Sequence, residues 1–394
     1  MTRTIDLNFM LALPLTDGGP AYTCQSFART MQGEGLRSRI FTPLDRRTRL
    51  GEIPVEIGLP RGFSRLPLKL SGPVAQARIE RRYLEACARR KDGAVAFMWG
   101  ETSLSLARAL ARSEALVVRE KYNCGKLTGL RILREAYGRL GVADALDETP
   151  YSPSHLQREK QVLDLADYVF CPSPQVNASL REIGIPDEKM IPTSYGFDPA
   201  RLEGESRALP PADGPTFLFV GRICVRKGAH ILLEAWRRAA LPGGRLVLLG
   251  EMEPVIGTLY ADVLARDDVE HHAFTRDVGS YYRSTDYFIF PSLEEGGPQV
   301  TYEAAFCGIP SLVTPMGAGA ILRDGVEGVV LDTDEPDAWA AMLRGLDRGG
   351  EAYRAQAAAA HERSLEFSWE RVGAQRRRAL LDRLGIAPAR EHAA

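Results

Sequence analysis

Short apolar runs recur along the chain, separated by stretches with helical spacing. In the second half the runs lie at 216–220, 245–249, 287–290 and 311–313, and helical segments at 231–238, 279–283 and 301–306 separate most of them. Continuous apolar runs fit strands buried on both faces, and their alternation with helices predicts a parallel sheet covered on both sides. The first half repeats the theme less cleanly. Runs at 5–13, 37–42, 94–99, 115–118 and 168–171 predict strands. Helices are predicted over 21–32, from about Pro73, over 154–166, and from the N-cap Ser173 through Glu182. The stretch 207–214, with Pro210 and Pro211 inside it and Pro215 just behind, reads as the linker.

The chain is organised around 286–306. An apolar run, Asp286 to Phe290, leads through Pro291-Ser292-Leu293-Glu294 to Glu295-Gly296-Gly297-Pro298, and a helix follows until Cys307-Gly308-Ile309-Pro310 stops it. Two glycines permit a tight turn and close approach of a ligand, and Pro298 suits a first helical position. A strand, a glycine turn and an open helix N-terminus make an anion site, with Gly297, Gln299 and Val300 supplying the N–H donors that proline lacks. Glu295 stands on the lip of the turn and Glu303 more than one helical turn inside. Two acids beside an anion repel it unless they bind uncharged groups attached to it, and sugar hydroxyls suit a carboxylate that only accepts hydrogen bonds. The ligand implied is a nucleoside diphosphate sugar. A doubly wound turn with solvated acids fits the local spacing too.

Three further places carry candidate chemistry. Gly18-Gly19 follows the first apolar run and precedes a helix, which fits a phosphate-friendly turn or a plain strand–helix connection. Gly221-Arg222 ends the run at 216–220, and Lys227-Gly228 follows before a helix. A guanidinium fork and a mobile ammonium suit a diphosphate, and a pair of surface cations fits as well. Gly250, after the run at 245–249, would let a ligand approach the same edge. Arg119 and Glu120 follow the run at 115–118, where they either point into a crevice or form a structural ion pair.

Composition narrows the classes. The 394 residues suffice for two cores, and a formal net charge of −1 gives no global field to recruit nucleic acid. Cys24, Cys87, Cys124, Cys171, Cys224 and Cys307 show no metal-ligand spacing and read as reduced thiols of a cytoplasmic protein. No signal pattern opens the chain and no apolar run approaches a membrane span. Arg61, Arg65 and Lys69 interleave with Phe63, Leu66, Leu68 and Leu70, and the following helix carries Arg78, Arg81, Arg82, Arg89, Arg90 and Lys91. Such a surface suits anionic lipid headgroups or, as the preferred reading, a solvated face balanced by Glu80 and Glu85.

Phe219-Val220-Gly221-Arg222, Lys227-Gly228, the segment Asp286 to Ser292, Glu295-Gly296-Gly297 with Glu303-Ala304, and Gly308-Ile309-Pro310 come in an order and at separations that resemble the retaining glycosyltransferases of family 4. The Glu295-to-Glu303 spacing is the most specific element. Gly18-Gly19 resembles that family's first loop, and Tyr195-Gly196-Phe197-Asp198 resembles its Asn-Gly-Val-Asp with Tyr for Asn. Phe367-Ser368-Trp369-Glu370-Arg371 resembles the start of its last helix. The likeness is strong over 216–332 and diffuse before about residue 160.

The resemblance implies an α/β, GT-B architecture: two Rossmann-like doubly wound domains facing each other across a cleft. Residues 1–205 would bind the acceptor, 206–368 the nucleotide sugar, and 369–394 would form a helix crossing back to the first domain, plus a tail. Arg222 and Lys227 would hold the diphosphate, Glu303 the ribose hydroxyls and Glu295 the donor sugar. Cations and helix amides would stand in for a metal, so neither metal nor cofactor is expected. The implied reaction is retaining, metal-independent transfer of a hexosyl group to an acceptor hydroxyl in glycan or glycoconjugate biosynthesis, on a saccharide, a lipid-linked or a small-molecule acceptor. It would proceed in the cytoplasm, or at the cytoplasmic membrane face if the basic surface is used that way. Many relatives carry a His where this chain has Arg119-Glu120-Lys121, which makes Arg119 and Glu120 candidate donor-sugar or acceptor contacts. The alternatives are a nucleotide-sugar epimerase or hydrolase on the same scaffold, and a non-catalytic GT-B subunit. The latter would be expected to have lost one of Arg222, Lys227, Glu295 and Glu303.

Overall fold

The computed structural model describes residues 4–47, 52–60, 68–88 and 93–386. Two wholly parallel sheets organise them. The first contains β1 (Ile5–Leu11), β2 (Leu36–Thr42), β3 (Val55–Ile57), β4 (Ala94–Trp99), β5 (Leu116–Glu120), β6 (Tyr168–Cys171) and β7 (Met190–Pro192), in the order β3-β2-β1-β4-β5-β6-β7. The second contains β8 (Thr216–Val220), β9 (Arg245–Leu249), β10 (Val269–His272), β11 (Tyr287–Phe290), β12 (Ser311–Val313) and β13 (Gly328–Val330), in the order β10-β9-β8-β11-β12-β13. Helices cross between successive strands, and the result is two Rossmann-like domains.

The central strands fall on the apolar runs because both of their faces are buried: every residue of β4, β11 and β12 is buried. The four strands that the pattern does not mark are the sheet edges, β3, β7, β10 and β13. An edge strand is half solvated and needs few apolar residues; β10 reads Val-Glu-His-His. β5 runs on to Glu120, so Arg119 and Glu120 lie inside the strand rather than after it. The helix expected from Pro73 spans Leu68–Ala88, with Pro73 inside it costing one backbone hydrogen bond.

After the second sheet the chain returns to the first. Phe197 N–H donates to Phe367 O (3.1 Å), and Trp369 N–H donates to Phe197 O (3.1 Å). The last helix, Trp369–Arg383, then packs on the helix Gly19–Thr30. A Cβ on Gly373 would fall 2.1 Å from Thr30 Oγ1, so only glycine admits this crossing. Trp369 Nε1–H donates to Tyr22 Oη (3.1 Å), and its ring meets Phe27 edge-on at 5.0 Å.

Arg61, Phe63, Arg65, Leu66, Arg89, Arg90 and Lys91 of the basic surface lie outside the described residues, as do the side chains of Leu68, Lys69 and Leu70. Within the described part, Arg81 pairs with Glu85 (4.0 Å) and Arg82 with Glu56 (3.6 Å). No helix among the described residues is long and apolar enough to cross a membrane. All six cysteines are unpaired.

Candidate active site in the interdomain crevice

Each sheet order reverses once, between β1 and β4 in the first domain and between β8 and β11 in the second. At such a point adjacent loops leave in opposite directions and open a crevice beyond the carboxyl ends of the strands. The loop after β8 carries Arg222 and Lys227, and the loop after β11 carries Glu295. Topology thus gathers residues distant in sequence at one edge.

Lys227 and Glu295 meet there in a direct ion pair, with only 15% and 8% of their side chains exposed. Ser292 Oγ donates to the same carboxylate oxygen (2.9 Å), and Lys227 Nζ lies 5.2 Å from the centre of the Phe290 ring. The two loops approach this closely because Gly228, at φ +71°, has no Cβ to strike Pro291 O, which would be 1.9 Å away. Burial, followed by the Arg226 guanidinium, pulls the pKa of Lys227 down to about 7 against Glu294. An ammonium this costly to keep charged needs an anion beside it, and Glu295 is that anion here.

Arg222 is exposed and makes no hydrogen bond or ion pair with the described residues, although its charge acts on the Tyr137 phenol across the crevice. Glu303 accepts a hydrogen bond from Tyr282 Oη (3.2 Å) and has Arg201 at 3.7 Å. Burial pushes its pKa up, while Arg201 and Tyr282 oppose that. The structure therefore joins Lys227 to Glu295, with Arg222 and Glu303 on the same edge but in contact with neither. The helix spans Gln299–Phe306, with Pro298 as its N-cap rather than its first residue. The N–H groups of Gly296, Gly297, Gln299 and Val300 make no hydrogen bond with the described residues, which leaves them as donors at the helix N-terminus.

Several glycines do something other than leave room for a ligand. A Cβ on Gly296 would fall 1.8 Å from Tyr122 O, and one on Gly297 would lie 2.9 Å from the Tyr195 ring. What these two admit is the first domain. Gly250 is needed because its Cβ would come 2.1 Å from Gly221 O, so it serves loop packing. Gly18, Gly19 and Gly221 do face open space, with Gly19 at φ +57° in the first turn of its helix.

Arg119 and Glu120 also differ from expectation. Glu120 is buried, held by Arg376 of the last helix at 2.7 and 3.1 Å. Of the two readings left open by the sequence, the structural ion pair holds for Glu120, and both residues also line a cavity. Arg119 is buried too, donating to Thr102 Oγ1 (3.0 Å) and Gly100 O (2.7 Å). It lines a cavity of about 190 Å³ beyond the ends of β4 and β5, whose wall from the second domain is Glu294. None of Arg222, Lys227, Glu295 and Glu303 lines it.

The sequence reading missed the contacts that close the crevice. Gln299 Nε2 donates to Thr23 Oγ1 (2.9 Å), Tyr137 Oη to Glu253 (2.8 Å), and Arg139 to Asp334 (2.7 Å). Glu294 is buried between Arg226 (3.1 Å) and Asn123 (3.4 Å). Its position next to Glu295 was the one available hint. Among the described residues no cluster of His, Cys, Asp and Glu could hold a metal ion.

Comparison with known proteins agrees with this architecture. Residues 214–347 match the family model described as glycosyl transferases group 1. D-inositol 3-phosphate glycosyltransferase of Kineococcus radiotolerans is 28% identical over 258 residues, 56% of this chain and 58% of that protein. The protein of the same name from Xylanimonas cellulosilytica is 31% identical over 176 residues, 42% of this chain and 41% of that one. The matches thus span about half the length of these relatives. Among solved structures, sucrose-phosphate synthase from Thermosynechococcus elongatus superposes with a TM-score of 0.67 at 18% identity, covering 97% of this chain and 99% of that one. HepE of Anabaena, in complex with UDP and glucose, gives 0.68 at 16% identity, covering 96% and 100%. The second domain thus matches the glycosyl transferases group 1 model over residues 214–347, and the chain has the GT-B fold of these solved structures.

Proposed function

We propose that the protein transfers a sugar from a nucleoside diphosphate sugar to an acceptor hydroxyl, with retention at the anomeric carbon and without a metal ion. The observation that carries this reading is the buried Lys227–Glu295 pair at the point where the second sheet's order reverses. A cation and an acid are there held side by side, one suited to a phosphate and the other to sugar hydroxyls. The solved HepE structure with UDP and glucose supports the same ligand class.

In this mechanism the bond from the anomeric carbon to the diphosphate breaks first. The acceptor oxygen bonds to the same face, and its proton passes to the departing diphosphate. Negative charge grows on the leaving group, so Lys227, Arg222 and the amides at the start of the helix Gln299–Phe306 act where preorganised electrostatics count most. Lys227 exchanges Glu295 for phosphate when donor binds, which frees Glu295 for the donor sugar. Glu303 takes the ribose hydroxyls. The reaction would serve glycan or glycoconjugate assembly in the cytoplasm.

Thermal-shift screening against UDP-, GDP-, ADP- and dTDP-sugars without metal tests the proposal, because a ligand of the native state raises its stability. One nucleotide should raise the melting temperature. A flat panel, or a response only with Mg²⁺, would overturn it.

A further inference from the structure

The cavity beyond β4 and β5 is lined by four cations, Arg119, Lys121, Lys126 and Arg158, and by four acids, two of which are paired with cations outside it. Lys121 pairs with Glu159 (3.0 Å). Lys126 and Arg158 share the single carboxylate of Glu101, the Arg158 contact being 2.6 Å. Arg119, only 7% exposed, hydrogen-bonds to the neutral groups Thr102 and Gly100, with the Glu159 and Glu101 carboxylates acting on it only at longer range. The remaining acids on the wall are engaged elsewhere, Glu120 with Arg376 and Glu294 with Arg226. Two of the four cations therefore have no carboxylate to themselves around a space of about 190 Å³. At about 30 Å³ per water that is room for roughly six waters.

A buried guanidinium without a directly bonded carboxylate is costly to fold, and an anion seated beside it would offset that cost. The N-terminus of the helix Lys126–Arg139 opens on the same space through Gly125 and Lys126, and its dipole favours the same sign of charge. Glu294, next in sequence to Glu295, forms the wall toward the second domain. A group seated here lies one residue along the loop from the Lys227–Glu295 pair.

We propose that this cavity binds the acceptor, and that the acceptor carries an acidic group, a phosphate or a carboxylate, held by Arg119 with Lys126 and Arg158. This rests on reading the first domain as the acceptor side of a sugar-transfer crevice. Glu294, buried and fixed by Arg226, then accepts a hydrogen bond from a hydroxyl of the same molecule and orients it toward the donor.

Isothermal titration of the full chain, with and without the nucleotide found in the donor screen, tests this. The probes are glucose 6-phosphate, glucuronate, glucose and inorganic phosphate. Binding of glucose 6-phosphate at least tenfold tighter than glucose is expected, weakening with salt, and glucuronate shows whether the acid is a phosphate or a carboxylate. Arg119→Gln should abolish the preference. Should that variant fail to fold, Arg158→Gln, at a side chain that is 37% exposed, should weaken it at least tenfold with an unchanged melting temperature. Equal binding of glucose and both acids, or acid binding that Arg158→Gln leaves intact, overturns the inference. If the nucleotide sugar binds and no acid does, this inference fails while the donor reading stands; if the acids bind and no nucleotide sugar does, the donor reading fails.

Discussion

Arg376 of the last helix grips Glu120 at the end of β5 with two hydrogen bonds, 2.7 and 3.1 Å, and both side chains are 0% exposed. The guanidinium also donates to Ser194 O (3.0 Å) and lies 3.7 Å from the centre of the Phe27 ring. The contact ties a helix that follows the second domain to the central sheet of the first. Arg376→Met should cost about 3–5 kcal/mol, because it leaves a carboxylate buried without its partner. Glu120→Gln combined with Arg376→Met should recover much of that loss. Urea unfolding of the wild type, both single variants and the double variant reads the coupling directly. Additive losses would mean that the two residues act independently.

Gly296 and Gly138 separate two uses of the same residue. A Cβ at Gly296 would meet Tyr122 O at 1.8 Å, a backbone atom of the other domain. Gly296→Ala should therefore hold the domains apart, raising the radius of gyration in X-ray scattering and lowering turnover with little change in the unfolding midpoint. Gly138 lies within the helix Lys126–Arg139 with nothing near its missing Cβ. Gly138→Ala should stabilise the protein by about 0.5–1 kcal/mol. An unchanged scattering curve for Gly296→Ala would show that the loop can reach closure another way.

His230 gives stability a pH dependence. Its Nδ1 is buried without a partner, and burial lowers its pKa to about 4. The unfolded chain regains the ordinary value near 6.5 and so binds more protons between those limits. Its contribution is complete above about pH 6.5 and is lost as pH falls toward 4. Wild type should lose stability over this range faster than His230→Gln does. A difference between the two that does not vary with pH would remove the assignment.

Legibility followed burial. The inner strands β8, β9, β11 and β12 could be read from apolar runs because water reaches neither face, and Ser173 could be read as a cap because its hydroxyl accepts from Val176 N–H (3.3 Å). The edge strands could not: β3 and β10 are half solvated and carry charged or polar residues, while β7 and β13 are only Met-Ile-Pro and Gly-Val-Val, three residues that include a proline or a glycine. At the site, Lys227 and Glu295 were legible from their places after strands. The pairings that close the crevice were not, because Gln299–Thr23 and Tyr137–Glu253 join residues with no local pattern between them. Gly296 and Gly250 show a packing role that the sequence did not reveal, for a related reason. A glycine in a turn says that something comes close, and the sequence alone does not say whether it is a ligand or another strand of the chain.

Arg222 and Lys227 are expected to diverge when each is replaced. Both should supply charge to the departing diphosphate, and losing one such preorganised donor costs about 3 kcal/mol, roughly a hundredfold in turnover. Their effects on folding should differ, because Arg222 is exposed and has no ion pair with the described residues while Lys227 neutralises a buried carboxylate. Arg222→Ala should keep the wild-type unfolding midpoint. Lys227→Ala should lower it, since Glu295 is left buried and alone, by up to about 3–5 kcal/mol. Adding Glu295→Ala to Lys227→Ala should restore much of the stability and none of the activity. Release of nucleoside diphosphate under saturating donor, measured beside urea unfolding, separates the two effects. Near-normal turnover in Arg222→Ala would remove that residue from the leaving-group site, and a double variant as unstable as Lys227→Ala would show that the pair is not what holds the two loops together.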